Sequence, residues 1–172
     1  APTANVPRVV QCSLVGETAT IEQAVAGSGA SFLLDSDGFV LSWGCGSHGQ
    51  LGHGDEEDRE QPTVIAGLQA ERVVQLAAGE SHVLALTDTS LLFAWGSNSH
   101  GQLGCDVPVG AKLLAPQVCT FGERQIPRSV AAGRYHSAAL VSMRRIDNRS
   151  ETVAFCWGDA SRQQLGGADP RR

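Results

Sequence analysis

Lysine is nearly missing from this chain of 172 residues: Lys112 is its one example. A surface that grips nucleic-acid phosphates needs clustered Lys and Arg. Here 13 Lys plus Arg stand against 18 Asp plus Glu, a net charge of −5, so no direct nucleic-acid contact is expected. Long hydrophobic runs are also lacking; none approaches the ~20 apolar residues of a membrane-spanning helix, and no membrane partner is expected. Tyr and Met occur once each. No segment of eleven or more residues keeps a helical period. Cys12, Cys45, Cys105, Cys119 and Cys156 contain no Cys-x-x-Cys pair and are odd in number. A disulfide framework or structural zinc is therefore not expected. Reduced, mostly buried thiols are, in an intracellular protein, cytoplasmic or nuclear. Residues 1–5 carry no secretory signal.

Glycine is plentiful, at 20 residues, and 42% of the chain is apolar, a composition of turns and short strands. These fall into an internal repeat. Trp43-Gly44 precedes Gly49-Gln50-Leu51-Gly52, Trp95-Gly96 precedes Gly101-Gln102-Leu103-Gly104, and Trp157-Gly158 precedes Gln163-Gln164-Leu165-Gly166. Trp and the Gln of the turn are seven residues apart each time. Upstream, Gly79-Glu80-Ser81-His82 matches Gly133-Arg134-Tyr135-His136, and Gly27-Ser28-Gly29-Ala30 fills the same slot without the His. Those leading glycines recur at intervals of 52 and 54 residues. A third anchor, Pro-x-Val, is Pro7-Arg8-Val9, Pro62-Thr63-Val64 and Pro116-Gln117-Val118. Between anchors lie apolar pairs of runs, at 31–34 and 39–43, 83–86 and 91–95, and 138–141 and 153–157. Asp37-Gly38 joins the first pair, a hairpin signal. Repeats of about 50 residues made of short strands point to propeller blades.

Gly-x-x-His, an apolar hairpin ending in Trp-Gly, Gly-Gln-Leu-Gly and Pro-x-Val together resemble the regulator of chromosome condensation repeat, over residues 7–167. That resemblance implies an all-β, seven-bladed propeller of four-stranded antiparallel blades, of which about three are present, as repeats at 21–68, 73–119 and 126–167. It also implies that one blade is split between termini, with 7–10 as a strand completing a neighbouring blade. Ala30 and Gln163 depart from the pattern. Propellers close with about four to eight blades, so three make an arc. Its remaining blades are expected from the same polypeptide, from a copy, or from a partner chain. Exposed strand edges and blade faces invite such association.

Catalytic chemistry finds little support. Ser81, His82 and Asp88 have triad chemistry, but strand neighbours point to opposite faces and no nucleophile elbow accompanies them. Gly44-x-Gly46-x-x-Gly49 reads as a dinucleotide fingerprint only if a helix follows, and Gln50-Leu51-Gly52-His53-Gly54 does not start one. His48, His53 and His100 lie in turns without the three or four converging ligands of a metal site. No cofactor and no metal are expected. Gly79, His82, Gly133 and His136, Trp43, Trp95 and Trp157, and Gln50, Gln102 and Gln164 are read as structural repeat positions.

Two irregular segments remain. Gly133 and Trp157 are 24 residues apart where the other copies have 16, which lengthens the third hairpin and places Arg144, Arg145 and Arg149 at its tip. Insertions in repeats map to loops and binding faces, so these three are the candidate partner contacts. Asn148-Arg149-Ser150, a glycosylation sequon, is read as chance. The acidic loop 55–60 is read as a solubilising turn. The expected function is a non-catalytic protein–protein interaction scaffold within a larger protein or assembly. The resemblance admits two alternatives: a guanine-nucleotide exchange factor for a Ran-type GTPase, and a regulatory propeller segment of a larger ubiquitin ligase or kinase.

Overall fold

The computed structural model describes residues 9–13, 18–145 and 149–166. Its first four strands, β1 (Ile21–Ala26), β2 (Ala30–Asp35), β3 (Val40–Gly44) and β4 (Arg59–Val64), pair in chain order as one antiparallel sheet. The second sheet repeats this with β5 (Val73–Ala78), β6 (His82–Thr87), β7 (Leu92–Ser97) and β8 (Lys112–Cys119). The third has β9 (Gln125–Ala132), β10 (His136–Arg144) and β11 (Ser150–Gly158). The sheets are blades 1, 2 and 3 below. Blades 1 and 2 have four strands and blade 3 has three among the described residues. Pro7 and Arg8 lie outside those residues, while Val9 and Val10, 93% and 48% exposed, are in no strand. The expected strand at 7–10 is thus not described as one.

The burial pattern follows from stacking. Every residue of β6 and β7 is buried, because blade 2 has a neighbour on each face. In β2 the interior residues alternate between buried and half-buried, since only one face of blade 1 is covered. Two cores result. One holds Phe32, Leu34, Val40, Val83, Ala85 and Trp95 between blades 1 and 2. The other holds Leu84, Leu86, Leu92, Val130, Ala139 and Val141 between blades 2 and 3. Fully burying one such aliphatic side chain contributes about 2 kcal/mol, so a blade without its neighbour loses most of its apolar support.

Turn chemistry sets the hairpins. The Asp35 carboxylate accepts from the backbone N–H of Asp37 (3.1 Å) and Phe39 (2.9 Å), and Gly38 takes a φ of 92°, a left-handed conformation that glycine adopts without strain. Blade 2 has Ser90 at φ 66° instead, with the Thr87 hydroxyl accepting from Leu91 N–H at 3.0 Å. The third hairpin is longer: β10 and β11 have nine residues each and stay in register from His136↔Gly158 to Arg144↔Ser150. Its residues 146–148, including Asn148 of the sequon, lie outside the described residues.

The cysteine expectation needs correcting. Cys105 and Cys119 form a disulfide, with Cα atoms 4.5 Å apart. Cys105 follows the Gly-Gln-Leu-Gly turn and Cys119 ends β8, so repeat geometry, invisible as a sequence motif, brings them together. Cys12 and Cys45 are half-buried and Cys156 is exposed. Among the described residues, no helix is long and apolar enough to cross a membrane.

Candidate functional site

Strands that run up and down in turn put alternate loops at opposite ends of each blade. The Gly-x-x-His turns and the Gly-Gln-Leu-Gly loops share one end, and the hairpin tips share the other. At the first end the Gln side chain folds back onto its own turn. Gln50, Gln102 and Gln164 accept from the backbone N–H of His48 (2.8 Å), His100 (2.7 Å) and Arg162 (2.7 Å). In the third copy Gln163 takes a φ of 60° where the others have glycine.

The folded turn aims its carbonyl at the next blade. The Trp95 indole N–H donates to Gln50 O at 2.8 Å, and the Trp157 indole N–H to Gln102 O at 2.9 Å. The ring covers the closing glycine: a Cβ on Gly52 would sit 2.8 Å from Trp95 Nε1, and one on Gly104 2.5 Å from Trp157 Nε1. Ser137 Oγ also donates to Gln102 O, at 2.7 Å. Its proton is then used, so the 2.9 Å contact between His82 Nε2 and Ser137 Oγ is donated by the imidazole. This fixes the Nε2–H tautomer and leaves the buried Nδ1 without a partner. Burial pushes the His82 pKa down to about 4, helped by His136. The partner of His82 is thus a side chain of the next blade. Gly79 is required beside it, because a Cβ there would collide with the His82 ring.

A further device escaped the sequence reading. The Gln23 side chain both donates to Leu76 O (2.9 Å) and accepts from Leu76 N (2.8 Å). Gln75 does the same with Val130, at 3.0 and 3.1 Å. Gln23 and Gln75 stand in the same register as Gly27 and Gly79, a signal visible in the repeat spacing.

On this rigid frame the turn positions carry a charged and aromatic row. Arg134 makes a two-pronged ion pair with Glu80 across two blades, both contacts 2.9 Å. The Arg134 guanidinium holds the Glu80 carboxyl down at about 2. Arg134 lies 4.8 Å over the Tyr135 ring, and His100 stacks on the same ring with centroids 4.6 Å apart. Arg134, Tyr135, His100, Asp159 and Arg162 border a hollow of about 490 Å³. Backbone and hydroxyl donors of Ser161 lower the Asp159 pKa. The arrangement suits recognition of a polar surface.

The acidic loop is engaged within the fold. Asp55 pairs with Arg59 at 2.6 Å, Glu56 with Lys112 at 2.5 Å, and Asp58 accepts from Gly46 N–H at 2.8 Å. The three candidate arginines lie at the opposite end from the row. Arg144 ends β10 and is exposed. Arg145 pairs with Glu151 at 3.2 Å, and its backbone N–H donates to Arg149 O at 2.9 Å. The triad chemistry does not assemble: His82 opens β6 and faces Ser137, while Asp88 lies past the far end of that strand. Among the described residues no group of three His, Cys, Asp or Glu converges as for a metal.

Residues 37–86 and 90–140 match the family described as Regulator of chromosome condensation (RCC1) repeat, and 73–102 match a second description of that repeat. The human probable E3 ubiquitin-protein ligase HERC3 is 34% identical over 146 residues, which is 85% of this chain and 13% of the relative. Human Protein RCC2 is 46% identical over 105 residues, 60% of this chain and 20% of the relative. The structure of human WBSCR16 superposes with a TM-score of 0.71 at 27% identity, covering 86% of this chain and 34% of that one. Yeast RCC1 (Prp20), solved bound to Kap60, gives 0.63 at 30% identity, covering 77% and 32%. The chain thus spans only 13% of the length of HERC3 and 20% of RCC2.

Proposed function

From the premise that this chain belongs to the regulator of chromosome condensation (RCC1) repeat family, we propose that it is a non-catalytic propeller module that docks a protein partner. Its contact is the third hairpin, through Arg144, Arg145 and Arg149. One observation carries the reading. The strands of this hairpin run nine residues, against five or six for the equivalent strands of blades 1 and 2, so a framed, arginine-bearing element projects from an otherwise uniform array. Arg suits acidic partner surfaces because its fork binds carboxylates in two-pronged fashion.

A quantitative pull-down tests this. Replacing Arg144, Arg145 and Arg149 together by Ala is expected to weaken partner capture at least about tenfold, roughly 1.4 kcal/mol. Unchanged capture would remove these residues as the contact. Fluorescent guanine-nucleotide release from a Ran-type GTPase separates this reading from exchange activity, and no acceleration is expected. A second reading has support in the coverage of HERC3, where a segment like this one is a small part of a ligase: a regulatory propeller segment of a larger enzyme. An intracellular setting, cytoplasmic or nuclear, goes with both readings. Thiol alkylation of protein taken directly from cells reports whether Cys105 and Cys119 are reduced there.

A further inference from the structure

The disulfide of blade 2 sits where blade 1 has no bond. Cys105 follows the Gly-Gln-Leu-Gly turn and Cys119 closes β8. In blade 1 these positions are His53 and Ile65. Ile65 is fully buried, and His53 reaches Ser42 Oγ at 3.0 Å instead. A blade of this repeat therefore folds without a covalent tie at these positions. Blade 2 is also held by other means. Cys119 pairs with Leu92 in the ladder of β7 and β8. The Asn98 side-chain amide donates to Val107 O (3.2 Å) and Pro108 O (3.0 Å), and Gly110 N–H donates to Asn98 O (2.9 Å). The strand and the loop between the two cysteines are thus anchored without help from the sulfurs.

The two sulfurs differ in access. Cys105 is half-buried between exposed Gly104 and Asp106. Cys119 is 4% exposed, in the core between blades 2 and 3. An incoming thiolate reaches the first and not the second, and disulfides open to solvent are the exchangeable ones. The reduced form is provided for as well. Leu103 O lies 3.4 Å from Cys119 Sγ and 3.7 Å from Cys105 Sγ, so a thiol S–H, a weak donor, has an acceptor once the bond opens. Leu103 and Gly104 also belong to the turn that carries the contact between blades. Gln102 O receives the Trp157 indole N–H at 2.9 Å, and Gly104 lies under that ring. The disulfide ties this turn to β8, so the state of the sulfurs bears on the grip of blade 2 on blade 3.

We propose that Cys105 and Cys119 are a reversible redox pair whose oxidation stiffens the junction of blades 2 and 3. Cys105 is the sulfur that exchanges with a low-molecular-weight thiol, and Cys119 is the resolving sulfur. In the oxidising direction the Cys105 thiolate attacks one sulfur of a small-molecule disulfide, RSSR. The S–S bond of RSSR breaks, and RS⁻ leaves and takes up the proton that Cys105 gave up. The Cys119 thiolate then attacks Cys105 Sγ and expels the second RS⁻, which takes up the Cys119 proton. Two electrons pass from the cysteines to RSSR, which ends as two RSH. Reduction by two RSH runs the same steps in reverse. The junction of blades 1 and 2, where Trp95 donates to Gln50 O, has no such pair and serves as an internal reference.

The folded full chain, incubated without denaturant in reduced and oxidised glutathione at varied ratio, is the test. Peptide mapping under non-reducing conditions is expected to show the Cys105–Cys119 bond opening and re-forming with the ratio. Cys119→Ser is expected to trap glutathione on Cys105. Cys105→Ser leaves only the buried sulfur of the pair and is expected to carry none at Cys119; it serves if Cys119→Ser loses cooperative unfolding. Exchange of the Trp157 indole N–H, followed by NMR, is expected to be about fivefold faster in the reduced chain, the factor that goes with ~1 kcal/mol of local stability. Cys105→Ser is expected to match that faster rate in either buffer, and Trp95 to keep one rate throughout. A bond that opens only under denaturant, glutathione on Cys119 of folded Cys105→Ser, a Trp157 rate that ignores the redox state, or an equal change at Trp95 would each overturn the proposal.

Discussion

His82 shows how one side chain ties the packing of two blades to stability. Its ring is buried, its Nε2–H is given to Ser137 and its Nδ1 has no partner, so a second proton has nowhere to be stabilised. The folded chain therefore holds the His82 pKa at about 4, against 6.5 for an ordinary histidine. Between these values the unfolded chain binds a proton that the folded chain does not. The stabilising contribution is complete above pH 6.5 and is lost as pH falls toward 4. At most about 3 kcal/mol is at stake. Denaturant melts from pH 7 to 4 are expected to show that decline, with a shallower slope in His82→Gln. His53, half-buried and lowered mainly by its own desolvation, adds a slope of the same sign, which makes the difference between the two proteins the informative quantity. Equal slopes would mean that His82 is not buried as described.

Strands and turns show which contacts are worth most between elements. The Gln75 clamp on Val130 makes two hydrogen bonds at a partly buried site, each worth about 1 kcal/mol net. Gln75→Ala is expected to cost about 2 kcal/mol in a thermal or denaturant melt, and Gln23→Ala a similar amount. The exposed Arg134–Glu80 pair is expected to add little to stability. Cys105–Cys119 closes a span of 14 residues, worth about 3 kcal/mol on the loop-entropy estimate. Cys105→Ser is expected to lower stability by that order in oxidised protein and to be neutral once reductant is added. A loss that persists in reductant would point to packing instead. Much of this architecture was legible beforehand. Trp-Gly and Gly-Gln-Leu-Gly recur because each encodes a local turn and the docking of that turn under the next blade's ring. The cysteine pair was not legible, since residues 105 and 119 meet only once β8 has folded back on β7. Nor was the Glu80–Arg134–Tyr135 row, because these are the variable positions inside an otherwise repeated turn and meet only across blades.

At the scale of the whole molecule, blades 1 to 3 form an arc whose middle sheet is buried on both faces and whose outer sheets are each covered on one. That asymmetry comes from stacking, and it sorts the three tryptophans. Trp95 is fully buried with its N–H on Gln50 O, Trp157 is half-buried on Gln102 O, and Trp43 has no acceptor among the described residues. Hydrogen exchange of the three indole N–H groups, followed by NMR, reads this order directly. The radial stacking of blades requires Trp95 to exchange slowest, Trp157 next and Trp43 fastest. Equal rates for all three, or protection of Trp43 above Trp95, would contradict it.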